Sequence, residues 1–175
     1  MRIWFTLALA LAVVSKPIDL NRFGGHWFEI ARTKNLRLEM GDSVVFTLTP
    51  AADRTIQIEY ESKEEPKVFQ NYGIATPTAD PSHYLIRITN NFLTKLFTFD
   101  VEVVETDYDS YALVYSKNRF FWFIDHTCLW ILSRNKKLDP NVLSHLLKTI
   151  EKNYQITEAQ IRYTSHPDTP QTQTN

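Results

Sequence analysis

The sequence predicts an all-β domain of eight antiparallel strands, followed by one amphipathic α-helix and a short ninth strand. Three observations carry this. Segments of period-two alternation, rich in β-branched and aromatic residues, recur along the chain. The connections between them are mostly short and hold turn-forming residues, which suits antiparallel neighbours and excludes βαβ units. Only one stretch has helical periodicity, and it comes after the strands. The architecture is therefore a sandwich or a barrel.

Trp27 to Arg32 opens the strand series. Val44 to Thr49 and Thr55 to Glu61 follow, joined across "PAAD". Val68 to Thr76 and Tyr84 to Thr89 flank "PTADPS". Phe97 to Glu105, Tyr111 to Tyr115 and a strand ending in "LWILSR" at Arg134 complete the set. Asp139 is placed to cap the helix, with Pro140 at its first position. Val142, Leu143, Leu146, Leu147 and Ile150 form its apolar stripe. Lys148 and Lys152 lie toward its C-terminal end, where the helix dipole favours cations. "QIRYT" reads as the ninth strand and "PDTPQTQTN" as a polar tail. A closed eight-stranded barrel would leave no free edge and could hold one ligand, with the helix covering apolar surface outside.

The chain has 175 residues, with 19 Lys and Arg against 20 Asp and Glu, so no basic stripe points to nucleic acid. Hydrophobic residues at 43% and aromatics at 13% exclude a disordered chain. At the N-terminus, Arg2 precedes an apolar run from Ile3 to Val14, the pattern of a secretory signal peptide covering residues 1–15. Cleavage after Ser15, or after Ala12, would release a secreted, extracellular protein; the competing reading is an uncleaved helix. The run is too short for a membrane-spanning helix, and no cysteine stands beside it for a lipid anchor. The expected organisation is a signal peptide at 1–15, one domain at 16–166 and a disordered tail at 167–175. Cys128 is the single cysteine, so the chain can form no internal disulfide.

Three blocks carry a family resemblance. "FGGHWFEIAR" holds Gly25 and Trp27; "ETDYDSYALVYS" holds Thr106, Asp107 and Tyr108; "LWILSRN" ends on Arg134. In this order and at these separations they resemble the lipocalin family, within it the apolipoprotein D and bacterial outer-membrane lipocalin branch. The resemblance spans roughly Asp19 to Pro167. It implies an eight-stranded antiparallel up-and-down barrel with the C-terminal helix packed outside. It also implies that Trp27 sits at the closed end with Arg134 packed over it. Gly25, Trp27, Thr106, Asp107, Tyr108 and Arg134 would then form a structural floor. Apolipoprotein D-like proteins usually carry disulfides, which this chain cannot form.

Strand parity gives a candidate ligand wall. If Trp27 points inward, so should Glu29 and Ala31. Arg134 belongs with Leu132, Trp130 and Cys128. Tyr84, Ile86 and Ile88 alternate with His83 and Arg87, Ile56, Ile58 and Tyr60 with Gln57 and Glu59, and Val101 and Val103 with Glu102. Phe46 and Val114 complete the set. The resemblance singles out Trp130 as pocket-lining. Such an interior suits a small hydrophobic ligand: a lipid, a sterol-like or a retinoid-like molecule. No inward Arg is expected except Arg134 at the floor. No cofactor or metal is expected, and no nucleic acid.

The run Phe120 to Ile124 is uninterruptedly apolar. The barrel would place it at the open end, beside a first long connection carrying Leu36, Leu38 and Met40. These residues, with Phe121, Trp122 and Phe123, would either close the mouth or form a rim contacting a membrane or lipoprotein surface. The competing function classes are an enzyme using a pocket thiol, with His126 beside Cys128, and a scaffold for protein interaction. The His-x-Cys pair has little specificity, and an inert buried thiol explains Cys128 as well.

Overall fold

A computed structural model describes residues 17–34, 41–64, 66–90, 98–120 and 124–167. A short helix α1 (Leu20–Phe23) precedes eight strands in up-and-down order: β1 (Gly25–Thr33), β2 (Asp42–Pro50), β3 (Ile56–Glu64), β4 (Lys67–Pro77), β5 (His83–Ile88), β6 (Thr98–Thr106), β7 (Tyr111–Phe120) and β8 (Ile124–Ser133). Helix α2 (Pro140–Tyr154), a 3₁₀ turn (Glu158–Gln160) and β9 (Ile161–Tyr163) follow. Each strand pairs antiparallel with the next, and β1 pairs with both β8 and β2. That last pairing closes the sheet into a barrel and settles the choice against a sandwich.

Local chemistry sets the ends of the elements. Asp19 caps α1, its Oδ1 accepting from the amides of Asn21 and Arg22 at 3.1 and 3.4 Å. Gly25, at φ 95°, then turns the chain into β1 in a conformation that disfavours other residues. Asp53 holds the β2–β3 turn by accepting from the amide and hydroxyl of Thr55, and Asp80 does the same for Ser82 before β5. Asp139 caps α2 through the amides of Asn141 and Val142, with Pro140 in the first turn. Gln155 ends that helix in the left-handed conformation at φ 57°.

The apolar residues divide into two cores on the two faces of the barrel wall. Inside lie Trp27, Leu48, Ile56, Tyr84, Val101 and Leu132, with Phe23 of α1 packed among them. Outside, Leu113, Leu129 and Ile131 meet Leu146 and Ile150 of α2 together with Ile161 of β9. His145 adds a polar tie: its Nε2 lies 3.0 Å from Glu105 Oε1, which also accepts from the Tyr111 hydroxyl at 2.6 Å.

β1 changes neighbour along its length. Gly25 to Phe28 pair with β2, whereas Ala31 to Thr33 pair with β9, which fills the place β2 leaves. A register shift between Glu29 and Ala31 marks the change. β7 and β8 extend further than the sequence suggested: pairing continues to Phe120 opposite Ile124. The two ends of the apolar run are thus strand residues, and its connection is only residues 121–123. Those three, and residues 35–40 with Leu36, Leu38 and Met40, lie outside the described residues. So do residues 1–16 and 168–175.

Candidate ligand cavity and its floor

The barrel interior holds a cavity of about 200 Å³. Its wall is built strand by strand by the inward residues of the pleat. β2 gives Phe46 and Leu48; β3 gives Ile56, Ile58 and Tyr60; β5 gives Tyr84, Ile86 and Ile88. β6 gives Phe99, Val101 and Val103, β7 gives Val114, and β8 gives Trp130 and Leu132. Asn71, Gly73 and Ala75 of β4, and Phe23 from below, complete the wall. No Asp, Glu, Lys, Arg or His stands among these lining residues. An ion placed there would lose its hydration with no compensating charge, whereas an apolar molecule gains about 25 cal/mol for each Å² it removes from water.

The floor is a stack. Trp27 is fully buried at the closed end and donates from Nε1 to Phe23 O at 2.8 Å. Phe23 tilts against it at 5.4 Å between ring centroids. The Arg134 guanidinium lies 3.6 Å from the centroid of the Trp27 ring. The same group donates to three carbonyls, from Nη1 to His26 at 2.9 Å, from Nη2 to Arg22 at 2.7 Å and from Nε to Tyr108 at 3.0 Å. It thereby ties α1, β1 and the β6–β7 turn together. In that turn Tyr108 has φ 71°, and its ring packs edge-on to Phe23 and under Arg22. Thr106 Oγ1 donates to Tyr111 O and accepts from the Tyr108 amide. Asp107 Oδ1 accepts from the amides of Asp109, Ser110 and Tyr111, and its Oδ2 from the Ser110 hydroxyl. Burial pushes the Asp107 carboxyl up, but the hydrogen bonds from Ser110, Tyr111 and Asp109 outweigh it and leave the pKa lowered.

An apolar cavity in a closed eight-stranded barrel, stopped by a Trp–Arg stack and flanked by one helix, has a counterpart among known families. Residues 24–168 match the model of the lipocalin / cytosolic fatty-acid binding protein family. The chain belongs to that family. This lipocalin is 27% identical to apolipoprotein D of Rattus norvegicus over 143 residues, 80% of this chain and 73% of that protein. It is 32% identical to retinol-binding protein 4 of Gallus gallus over 112 residues, 59% of this chain and 56% of that one. Among solved structures, lobster apocrustacyanin A1 superposes with a TM-score of 0.72 at 19% identity, covering 86% of this chain and 81% of its own.

Three residues expected on the lipocalin's inner wall do not line the cavity: Glu29, Ala31 and Cys128. The bulge in β1 explains Ala31. One extra residue shifts the pleat, so Ala31 pairs with Ile131 and packs into the outer core under α2. Arg32 takes the inward position instead, as the register partner of Trp130. This is the inward arginine that simple alternation missed. Glu29 keeps the face of Leu132, but its Oε1 is held by Arg32 Nη1 and by Thr164 Oγ1. Arg32 Nη2 also donates to Gly41 O at 3.2 Å. Both side chains of the pair are almost fully buried, at 0% and 2% exposed, where β1 leaves β2 for β9. Cys128 is fully buried in β8 opposite Ser116. The His126 side chain lies outside the described residues. No group of three or more His, Cys, Asp or Glu among the described residues could hold a metal ion.

The sequence reading also omitted lining residues. Leu48 and Phe99 stand two positions from Phe46 and Val101, and extending the parity would have found them; Ile56, which the parity does place inward, lines the cavity with Ile58. β4 offers no such signal. Its outward Val68, Tyr72 and Ile74 are 55%, 43% and 42% exposed, whereas the inward-facing positions are Asn71, Gly73 and Ala75. Hydropathy alone would turn this strand inside out.

Proposed function

We propose that this lipocalin is a secreted carrier that binds a small, uncharged hydrophobic molecule in its barrel. The apolar lining favours a lipid, sterol-like or retinoid-like molecule. The observation that carries the reading is the apolar wall, with no Asp, Glu, Lys, Arg or His among its lining residues. The name of retinol-binding protein 4, one of the relatives, points the same way. Binding works by excluding water rather than by covalent chemistry. Trp130, Leu132, Val114, Val101, Val103, Ile86, Ile88, Tyr84, Ile58, Tyr60 and Phe46 make the contacts. Gly25, Trp27, Arg134 and the Thr106–Tyr108 turn hold the floor. Residues 1–15 direct secretion. The apolar residues at 36, 38, 40 and 121–123 give the open end an affinity for lipid surfaces; that part rests on sequence alone.

Two measurements test the carrier. Mass spectrometry of organic extracts from protein purified out of the secretion medium should return a neutral apolar compound in near-stoichiometric amount. Titration of the delipidated protein with that compound should quench Trp130 fluorescence and saturate at one equivalent. Empty extracts together with no uptake of apolar probes would overturn the reading.

A further inference from the structure

The cavity wall is not uniformly indifferent to polarity. Asn71 faces inward on β4, directly opposite Tyr60 on β3. Its carboxamide offers two donors and one acceptor, and among the described residues it makes no hydrogen bond. Below it on the same face comes Gly73, which has no side chain; a Cβ there would meet Arg87 O at 3.2 Å. At Gly73 the wall therefore sets no side chain next to Asn71 on that face, and its carboxamide is the one among the lining residues. Asn71 is half-buried, so water can meet its carboxamide in the empty barrel, and a ligand that displaces this water must replace its hydrogen bonds.

We infer that Asn71 is a specificity-determining residue, which recognises a single uncharged oxygen (ketone, ester or alcohol) on an otherwise apolar ligand. This rests on the carrier reading and names the ligand class more closely. A carboxylate fits worse, because no cationic side chain lines the cavity to balance its charge. A pure hydrocarbon fits worse as well, because it would bury the amide without a partner. The oxygen of the ligand lies against β4 at the level of Tyr60, and its apolar body extends toward Trp27.

Three probes of matched chain length test this: dodecane, 2-dodecanone and dodecanoate, titrated against Trp130 fluorescence. Asn71→Leu conserves side-chain size and removes the hydrogen-bonding groups. It should weaken 2-dodecanone about fivefold to tenfold, the worth of one net hydrogen bond. It should leave dodecane unchanged or bind it more tightly. Asn71→Ala, which cannot overpack the wall, should show the same selective loss. Melting curves of both variants confirm the fold. Equal effects on ketone and hydrocarbon would overturn the assignment, as would tighter wild-type binding of dodecanoate than of 2-dodecanone at neutral pH. Those results would leave the carrier intact. Failure of the wild type to take up any of the three probes would overturn the carrier itself.

Discussion

Replacing Arg134 tests whether the floor is a structural plug or part of the ligand site. Its guanidinium makes four contacts: the Trp27 face at 3.6 Å and the carbonyls of Tyr108, His26 and Arg22. The bonds to His26 and Arg22 are solvent-exposed, so water replaces Arg134 there at small cost. The bond to Tyr108 is partly buried, and its carbonyl would be left poorly satisfied. With a cation–π contact worth about 1 kcal/mol, the whole comes to about 3 kcal/mol for Arg134→Ala. Arg134→Lys keeps a cation near the indole but cannot fork across three carbonyls, and should cost about half as much. Urea unfolding followed by fluorescence measures both. At a slope of about 2 kcal/mol per M, the Ala variant should unfold roughly 1.5 M earlier.

The indole side of the stack gives the control. Trp27→Ala removes the largest fully buried side chain among the described residues and should cost about 3–5 kcal/mol. The double variant should cost less than the two singles together by about 1 kcal/mol, the coupling of the stacked pair. The opposite pattern would refute the argument. If Arg134→Ala left the urea midpoint in place and weakened ligand binding tenfold, the floor would be a ligand contact and not a plug.

Two other predictions concern carboxylates, one buried in an ion pair and one held by a turn. Glu29→Ala leaves Arg32 buried without its ion partner and should cost about 3–5 kcal/mol in urea unfolding; adding Arg32→Met should recover most of it, and a near-native midpoint for Glu29→Ala would show the pair to be dispensable. Asp107 governs part of the acid limb: its folded pKa lies below the ordinary 3.8, so its contribution is fully present above that value and is lost as pH falls through the lowered one. Urea midpoints measured from about pH 6 down to about pH 2 should therefore fall less steeply for Asp107→Asn than for the wild type, and parallel curves would contradict the hydrogen-bonded role of the carboxylate.

The barrel was legible in the sequence where alternation and turn chemistry agreed. On β5, Tyr84, Ile86 and Ile88 alternate with His83, Leu85 and Arg87, and all three line the cavity. The Asp139 cap is local, since a carboxylate needs only the amides two and three residues ahead; Asp19 caps α1 by the same chemistry, but that helix of four residues is too short to show a periodicity. What escaped were the features that alternation cannot encode. On β1 a single bulge exchanges Ala31 for Arg32 on the inner face, and nothing in "FEIART" announces it. The cause lies outside the strand, because β1 must satisfy β2 along one half of its edge and β9 along the other.

The same conflict accounts for the buried pair. Where β2 departs, the inner face of β1 loses a neighbour before β9 is in place. Apolar side chains there would leave the Gly41 carbonyl without the donor that Arg32 supplies. Glu29 then balances the charge of Arg32 and takes the Thr164 hydroxyl, while the Glu29 carbonyl lies 2.7 Å from His166 Nε2. The segment after β9 is thus fastened to the barrel at the site of the bulge. In a chain with one cysteine and no internal disulfide to pin its ends, this buried polar cluster and the Arg134 stack supply the long-range ties at the two ends of β1. Cluster and stack alike use an arginine, whose planar fork can meet an anion or a ring and a carbonyl at once.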